Sequence, residues 1–102
     1  PQGISKHNYV QLKEGMVLSN EPGFYKKNDF GIRIENLVFI KKNKSNLFFE
    51  NLTMAPIDTD LINFKMLNKD EKKYLFKYHF EVYNNISPFL NSAEKKWLAS
   101  LI

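Results

Sequence analysis

The sequence predicts an α+β fold, with antiparallel strands first and helices at the carboxy end. Three observations carry that expectation. Branched apolar residues alternate through two runs, residues 15–23 and 30–40, at the period of a strand. Pro22-Gly23 and the polar stretch Lys26-Lys27-Asn28-Asp29 separate these runs as a turn separates a hairpin. From Asn68 onward the apolar spacing changes to that of a helix. The strand-rich part is placed at residues 1–66 and the helical extension at residues 67–102.

Composition sets the outer limits. A chain of 102 residues is one domain or part of a larger one, and 43% hydrophobic content with nine Phe and five Tyr can fill a core. There is no Cys, which removes disulfide frameworks and Cys-based zinc sites and fits a cytoplasmic protein. No apolar run reaches the roughly 18 residues of a membrane span, and the first residues lack the pattern of a signal peptide. A start at Pro1 leads us to expect a processed or truncated product. The net charge is +4, but all except one of the fifteen basic residues are Lys, dispersed along the chain. Abundant Lys and Asn resemble the codon bias of an AT-rich genome. Nucleic-acid sites instead cluster Arg with aromatic platforms, so no nucleic-acid partner is expected. A basic nucleic-acid binder would show strongly salt-dependent affinity.

Taken in order, residues 1–14 read as a loop ending in a short extended piece, with His7 solvated within it. Met16 to Glu21 reads as a strand, with Val17, Ser19 and Glu21 on one face and Met16, Leu18 and Asn20 on the other. Gly31 opens the return strand. Ile32, Ile34, Asn36, Val38 and Ile40 share one of its faces, and Arg33, Glu35, Leu37 and Phe39 the other. Neither face is polar throughout, so the strand is expected to be central, covered on both sides, with Arg33 and Glu35 in a buried charged cluster. Lys41 to Asn46 reads as a polar turn and Leu47 to Met54 as a third strand. Ala55 to Ile62 is an extended connector, in which Asp58 and Asp60 are surface positions rather than a metal pair.

Asn68 followed by Glu71 resembles a capping box. Leu75, Tyr78, Val82 and Ile86 then mark the apolar stripe of a helix, with Lys72, Lys73 and Lys77 towards solvent. Tyr74, Phe76 and Phe80 widen the stripe, and His79 is expected to be a hydrogen-bonded core or boundary residue. Ser87-Pro88 ends this helix. A last short helix, about residues 93–101, offers Trp97, Leu98 and Leu101 as an anchor.

Glu21 and Glu35 are the chemically informative residues. Burying a carboxylate is costly unless a cation, a hydrogen-bond network or a metal compensates. From the residues alone two readings stand. Arg33, the single Arg, pairs with one glutamate while Glu21 lies at a frayed strand end. Alternatively, the two glutamates are half of a metal site.

The stretches Gly15-Met16-Val17-Leu18-Ser19-Asn20-Glu21-Pro22-Gly23-Phe24-Tyr25 and Phe30-Gly31-Ile32-Arg33-Ile34-Glu35-Asn36 resemble the carboxy-terminal metal-binding motifs of the aminopeptidase P family. These Xaa-Pro aminopeptidases are pita-bread metallopeptidases. The likeness extends through Leu52-Thr53-Met54-Ala55-Pro56-Ile57-Asp58, Tyr78-His79 and Trp97-Leu98, and so covers almost the whole chain. Its short hairpin loop is closer to the three-domain form of that family. Phe24 departs from it, standing where tyrosine is common.

The resemblance implies the carboxy-terminal part of a pita-bread fold. It also implies a site for two divalent metal ions, usually Mn²⁺, held by two aspartates, one histidine and two glutamates. Carried over, Glu21 binds one metal and aids proton transfer, Glu35 bridges both metals, and Arg33 supports the catalytic network. The substrates implied are peptides with proline at the second position. Nothing in residues 1–14 resembles the two aspartates and the histidine, and His7 is not carried over. Pro1-Gln2-Gly3-Ile4-Ser5 resembles the loop just downstream of the histidine segment. The chain is therefore expected to be inactive alone, to need the missing N-terminal part of the enzyme as a partner, and to share the family's homodimerisation through this region. The alternatives are a non-catalytic pita-bread module that binds peptides or proteins, or a degenerate split-gene product. Non-catalytic relatives usually lose the ligand glutamates, whereas both are present here.

Overall fold

The structure is a computed structural model that describes residues 2–4, 7 and 9–102. The Pro1 and Ser5 positions of the amino-terminal loop lie outside the described residues. The elements are β1 (Gln2–Gly3), β2 (Val17–Asn20), β3 (Gly23–Tyr25), β4 (Gly31–Arg33), β5 (Asn36–Asn43), β6 (Asn46–Asn51), α1 (Lys69–Ile86), a 3-10 turn (Ser87–Phe89) and α2 (Ser92–Ser100). The mixed α+β class and the order of strands before helices are as the sequence predicts. The chain divides into two compact units, Pro1–Thr53 and Met54–Ile102.

In the first unit a sheet of order β1-β2-β5-β6 stands beside the ribbon β3-β4. Residues 2–3 are not loop: β1 pairs in parallel with β2, a partner distant in sequence that no local pattern reveals. The return strand expected over 31–40 is two strands, because Ile34 and Glu35 leave the ladder between β4 and β5. Its register is nonetheless unbroken. The alignment that opposes Gly23 to Arg33 also opposes Asn20 to Asn36 and Val17 to Phe39. At the junction, the Ile34 N–H donates to the Pro22 carbonyl at 3.1 Å.

One face of the β2-β5 pair is covered. Leu18, Val38 and Ile40 are buried there, with Leu12 and Met16 packed against them. Fully burying side chains of this size contributes about 1.5–3 kcal/mol each. The opposite face, with Val17, Leu37 and the charged residues, is open in this chain, so the expected two-sided burial is not observed. Ile32 and Ile34 are exposed as well, because they lie beyond the covered part of the sheet. Gly15, at φ +82°, takes a left-handed turn that L side chains resist, and its N–H reaches the Ile40 carbonyl at 2.8 Å. Between β5 and β6 the polar turn is only Lys44-Ser45, shorter than expected, with Lys44 at φ 55°.

In the second unit the connector packs with the helices. Tyr78 Oη donates to the Ala55 carbonyl at 2.8 Å, and the Ile57 N–H donates to His79 Nε2 at 3.1 Å. Asp58 caps its own loop by accepting from the Asp60 N–H at 2.9 Å. Both helices start with a complete Asn capping box, Asn68 with Glu71 and Asn91 with Glu94. Leu75, Tyr78, His79 and Val82 form the buried stripe of α1. In α2 only Leu98 is buried, whereas Trp97 is 63% exposed and does not anchor the helix within this chain. No helix among the described residues is long and apolar enough to cross a membrane.

Because the Ile57 N–H points at Nε2, that nitrogen carries a lone pair and the ring is neutral with its proton on Nδ1. Burial lowers the His79 pKa below its ordinary 6.5. Unfolding restores the ordinary value, so the unfolded chain binds this proton first as pH falls. The stability that His79 contributes is therefore complete above about pH 6.5 and is lost as pH falls through the lower folded value. Urea unfolding at pH 7.5 and 5.5 should show a lower midpoint at pH 5.5, and His79→Phe should shrink the difference. Separately, Asn68→Ala should cost about 1 kcal/mol of unfolding free energy through loss of the α1 cap.

Candidate metal-ligand pair

Three side chains converge on the open face of the first unit. Glu21 follows the last residue of β2, Glu35 precedes the first residue of β5, and Arg33 ends β4. The common register places Glu21 directly opposite Glu35. Like charges in directly opposed positions of an antiparallel pair are destabilising. Arg33 lies two residues before Glu35, on the same face, and meets both. Its Nη1 is 3.3 Å from Glu21 Oε2 and its Nη2 is 3.3 Å from Glu35 Oε2. Ser19 Oγ donates to Glu21 Oε1 at 2.7 Å, fixing that carboxylate from within its own strand. Of the two readings left open by the sequence, the ion pair is present, with both glutamates rather than one, and it leaves the two carboxylates adjacent.

The sequence pointed to a buried cluster, but these side chains are 43–48% exposed. Solvent weakens such pairs to roughly 0–1 kcal/mol each. The single guanidinium only partly offsets the two carboxylates, and these remain reachable.

Local backbone features hold the three in place. Pro22 ends β2 immediately after Glu21, where a missing N–H costs no ladder bond. In the ribbon the Tyr25 ring lies across Gly23 and Gly31, so close that a Cβ on Gly31 would stand 2.6 Å from a ring carbon. A larger residue there would push the exposed Tyr25 ring aside. The hairpin tip is tied by the Lys26–Asp29 ion pair at 2.6 Å and by Asn28 at φ 59°.

On the covered face, directly behind the carboxylates, is a feature that sequence reading missed. Asn20 Nδ2 donates to Asn36 Oδ1 at 3.0 Å, and Asn36 Nδ2 donates to Asn51 Oδ1 at 2.8 Å. Asn51 Nδ2 donates in turn to the Thr53 carbonyl. Asn36 is 6% exposed. Three Asn residues so far apart in sequence give no periodic signal; only the register brings them together.

Two carboxylates suit a hard divalent cation in donor type. They do not complete a coordination sphere, and no group of three or more His, Cys, Asp or Glu among the described residues could hold a metal ion. The residues present fit part of a metal site. His7 lies in a turn and is exposed.

Comparison with known proteins identifies the family. Residues 45–101 match the C-terminal region of peptidase M24, and residues 1–42 match metallopeptidase family M24. A Coprinopsis cinerea protein named "Probable Xaa-Pro aminopeptidase P" is 42% identical over 96% of this chain and 18% of its own length. Aminopeptidase P2 of Arabidopsis thaliana is 40% identical over 96% of this chain and 15% of its own length. The crystal structure of the X-prolyl aminopeptidase of Caenorhabditis elegans, described as a cytosolic enzyme with a di-nuclear active site, superposes with a TM-score of 0.80. It is 33% identical and covers 95% of this chain and 17% of that enzyme. The chain spans less than a fifth of the length of these relatives. Its strand and helix arrangement is that of the matching part of the pita-bread aminopeptidase.

The exposure of the trio sets an expectation for stability. In a double-mutant cycle of Arg33→Met with Glu21→Gln, the coupling should be below about 1 kcal/mol. A coupling of several kcal/mol would show the pair to be a structural clamp.

Proposed function

This chain belongs to metallopeptidase family M24, and we propose that it supplies two of the five ligands of a dinuclear Xaa-Pro aminopeptidase site. The observation that carries the reading is the direct opposition of Glu21 and Glu35 around Arg33 on an open, reachable face. In this reading Glu21 holds one divalent cation and Glu35 bridges two, with Mn²⁺ the metal its carboxylate donors favour by analogy with the family. When bound, such a pair supplies an activated water and polarises the scissile carbonyl. Glu21, whose carboxylate Ser19 orients, would accept the proton that this chemistry releases. Arg33 pairs with both carboxylates at 3.3 Å, and would be freed from part of that task when cations take it over.

The remaining donors, two aspartates and a histidine, come from a polypeptide segment upstream of the matched region. The 102 residues by themselves are then inactive, and that upstream part is their first partner. Val17 and Leu37, apolar and exposed beside the trio, suit a face that other protein covers. Substrates are peptides with proline at the second position, and the location is cytoplasmic as described for the C. elegans relative; the homodimerisation proposed for the assembled enzyme rests on the family resemblance alone.

The test joins this chain to the upstream region of the C. elegans enzyme in place of that enzyme's own matching segment. The isolated chain titrated with Mn²⁺ should form no dinuclear complex. The fusion should bind two ions per polypeptide and release the residue preceding proline. Glu35→Ala in the fusion should reduce turnover by at least about 100-fold and lower the metal content. A folded fusion that keeps full activity with Glu35→Ala contradicts the bridging role.

A further inference from the structure

We infer that the Asn20–Asn36–Asn51 relay is a positioning device for the two carboxylates, with Asn36 as its central residue. The inference rests on the metal-ligand reading of Glu21 and Glu35. Sequence adjacency gives the connection: Asn20 immediately precedes Glu21, and Asn36 immediately follows Glu35. Side chains alternate across a strand, so the asparagines point into the covered face while the glutamates point out of the open one. A bond between Asn20 and Asn36 on one face therefore fixes the spacing of the opposed glutamates on the other.

This tie is placed where the ordinary ladder is interrupted. Between β2-β5 and the β3-β4 ribbon, Ile34 and Glu35 lie outside any strand. The Ile34–Pro22 backbone bond holds the ribbon side of the gap, and the Asn20–Asn36 side-chain bond holds the sheet side. Asn36 carries the tie onward to β6 through Asn51, and the Leu37 N–H donates to Thr53 Oγ1 at 2.8 Å beside it.

The relay also has a fixed direction. A backbone carbonyl can only accept, so the Thr53 carbonyl requires the amide nitrogen of Asn51 to face it. The Asn51 oxygen must then face the Asn36 nitrogen, and the Asn36 oxygen must face the Asn20 nitrogen. One main-chain atom sets the orientation of all three amides. Because Asn36 is buried, a side chain that cannot both donate and accept leaves its neighbours unsatisfied. Outer groups that orient metal ligands typically change metal affinity by 10–100-fold when removed.

The test uses the fusion of this chain to the upstream region of the C. elegans enzyme, with Mn²⁺ as the probe. Mn²⁺ affinity and the melting temperature of the metal-free protein are measured for the wild type, Asn36→Leu, Asn20→Ala and Ile40→Ala. Ile40→Ala removes buried volume from the same core at a position opposite Phe49 rather than a relay residue. Asn36→Leu should weaken Mn²⁺ binding by about 10–100-fold. Asn20→Ala, at the less buried end, should weaken it in the same direction and serves if Asn36→Leu does not fold. Ile40→Ala should lower the melting temperature while leaving affinity within about twofold. If affinity falls in all variants in proportion to lost stability, or is unchanged in the relay variants, the positioning role is overturned. A wild type that binds no Mn²⁺ overturns the metal reading, and the inference with it.

Discussion

Two carboxylates set opposite one another in an antiparallel pair repel, and the first unit is arranged around that repulsion. The register of the hairpin makes Glu21 and Glu35 neighbours, and no local adjustment separates them without slipping every other pair. A slip would carry Leu18, Val38 and Ile40 out of the covered face, so the apolar core holds the glutamates together. Arg33 meets the resulting charge from the same face, at 3.3 Å to each partner. The sheet thus concentrates negative charge at one place and spends a single cation on it. Such a place is ready for further cations.

The two faces of the β2-β5 pair divide the work. Behind the backbone, apolar packing and the asparagine relay fix distances; in front, exposed charges remain free to exchange partners. Pro22 and the ladder gap at Ile34-Glu35 mark where the sheet hands over to the ribbon. A gap of this kind is a weak point in a sheet, and here it carries hydrogen bonds from the backbone on one side and from side chains on the other. The second unit shows the same economy on a smaller scale. One neutral histidine and one tyrosine, both on α1, fasten the connector by its backbone.

Much of this was legible in the sequence because the signals are local. Alternation over 16–21 and 32–40 gave the hairpin, Pro22-Gly23 and the polar tip gave its turn, and Asn68 with Glu71 gave the start of α1. The glutamates stood out as charges inside apolar runs. What stayed hidden depends on partners far along the chain. The pairing of Gln2–Gly3 with β2, the ladder gap before Asn36 and the meeting of Asn20, Asn36 and Asn51 all follow from register, which periodicity does not encode. Alternation also says which residues share a face but not whether anything covers it. That is why the Arg33 and Glu35 face was expected to be buried and is open, and why Trp97 was expected to anchor α2 and is exposed.

The most direct measurement of the central claim is a crystal structure of this chain fused to the upstream region of the C. elegans enzyme and grown with Mn²⁺, with anomalous difference maps recorded at the manganese edge. The account predicts two peaks beside the open face, with Glu21 ligating one ion and Glu35 touching both. Maps with no peak at these carboxylates, and Glu21 and Glu35 still held only by Arg33 in saturating Mn²⁺, would contradict it.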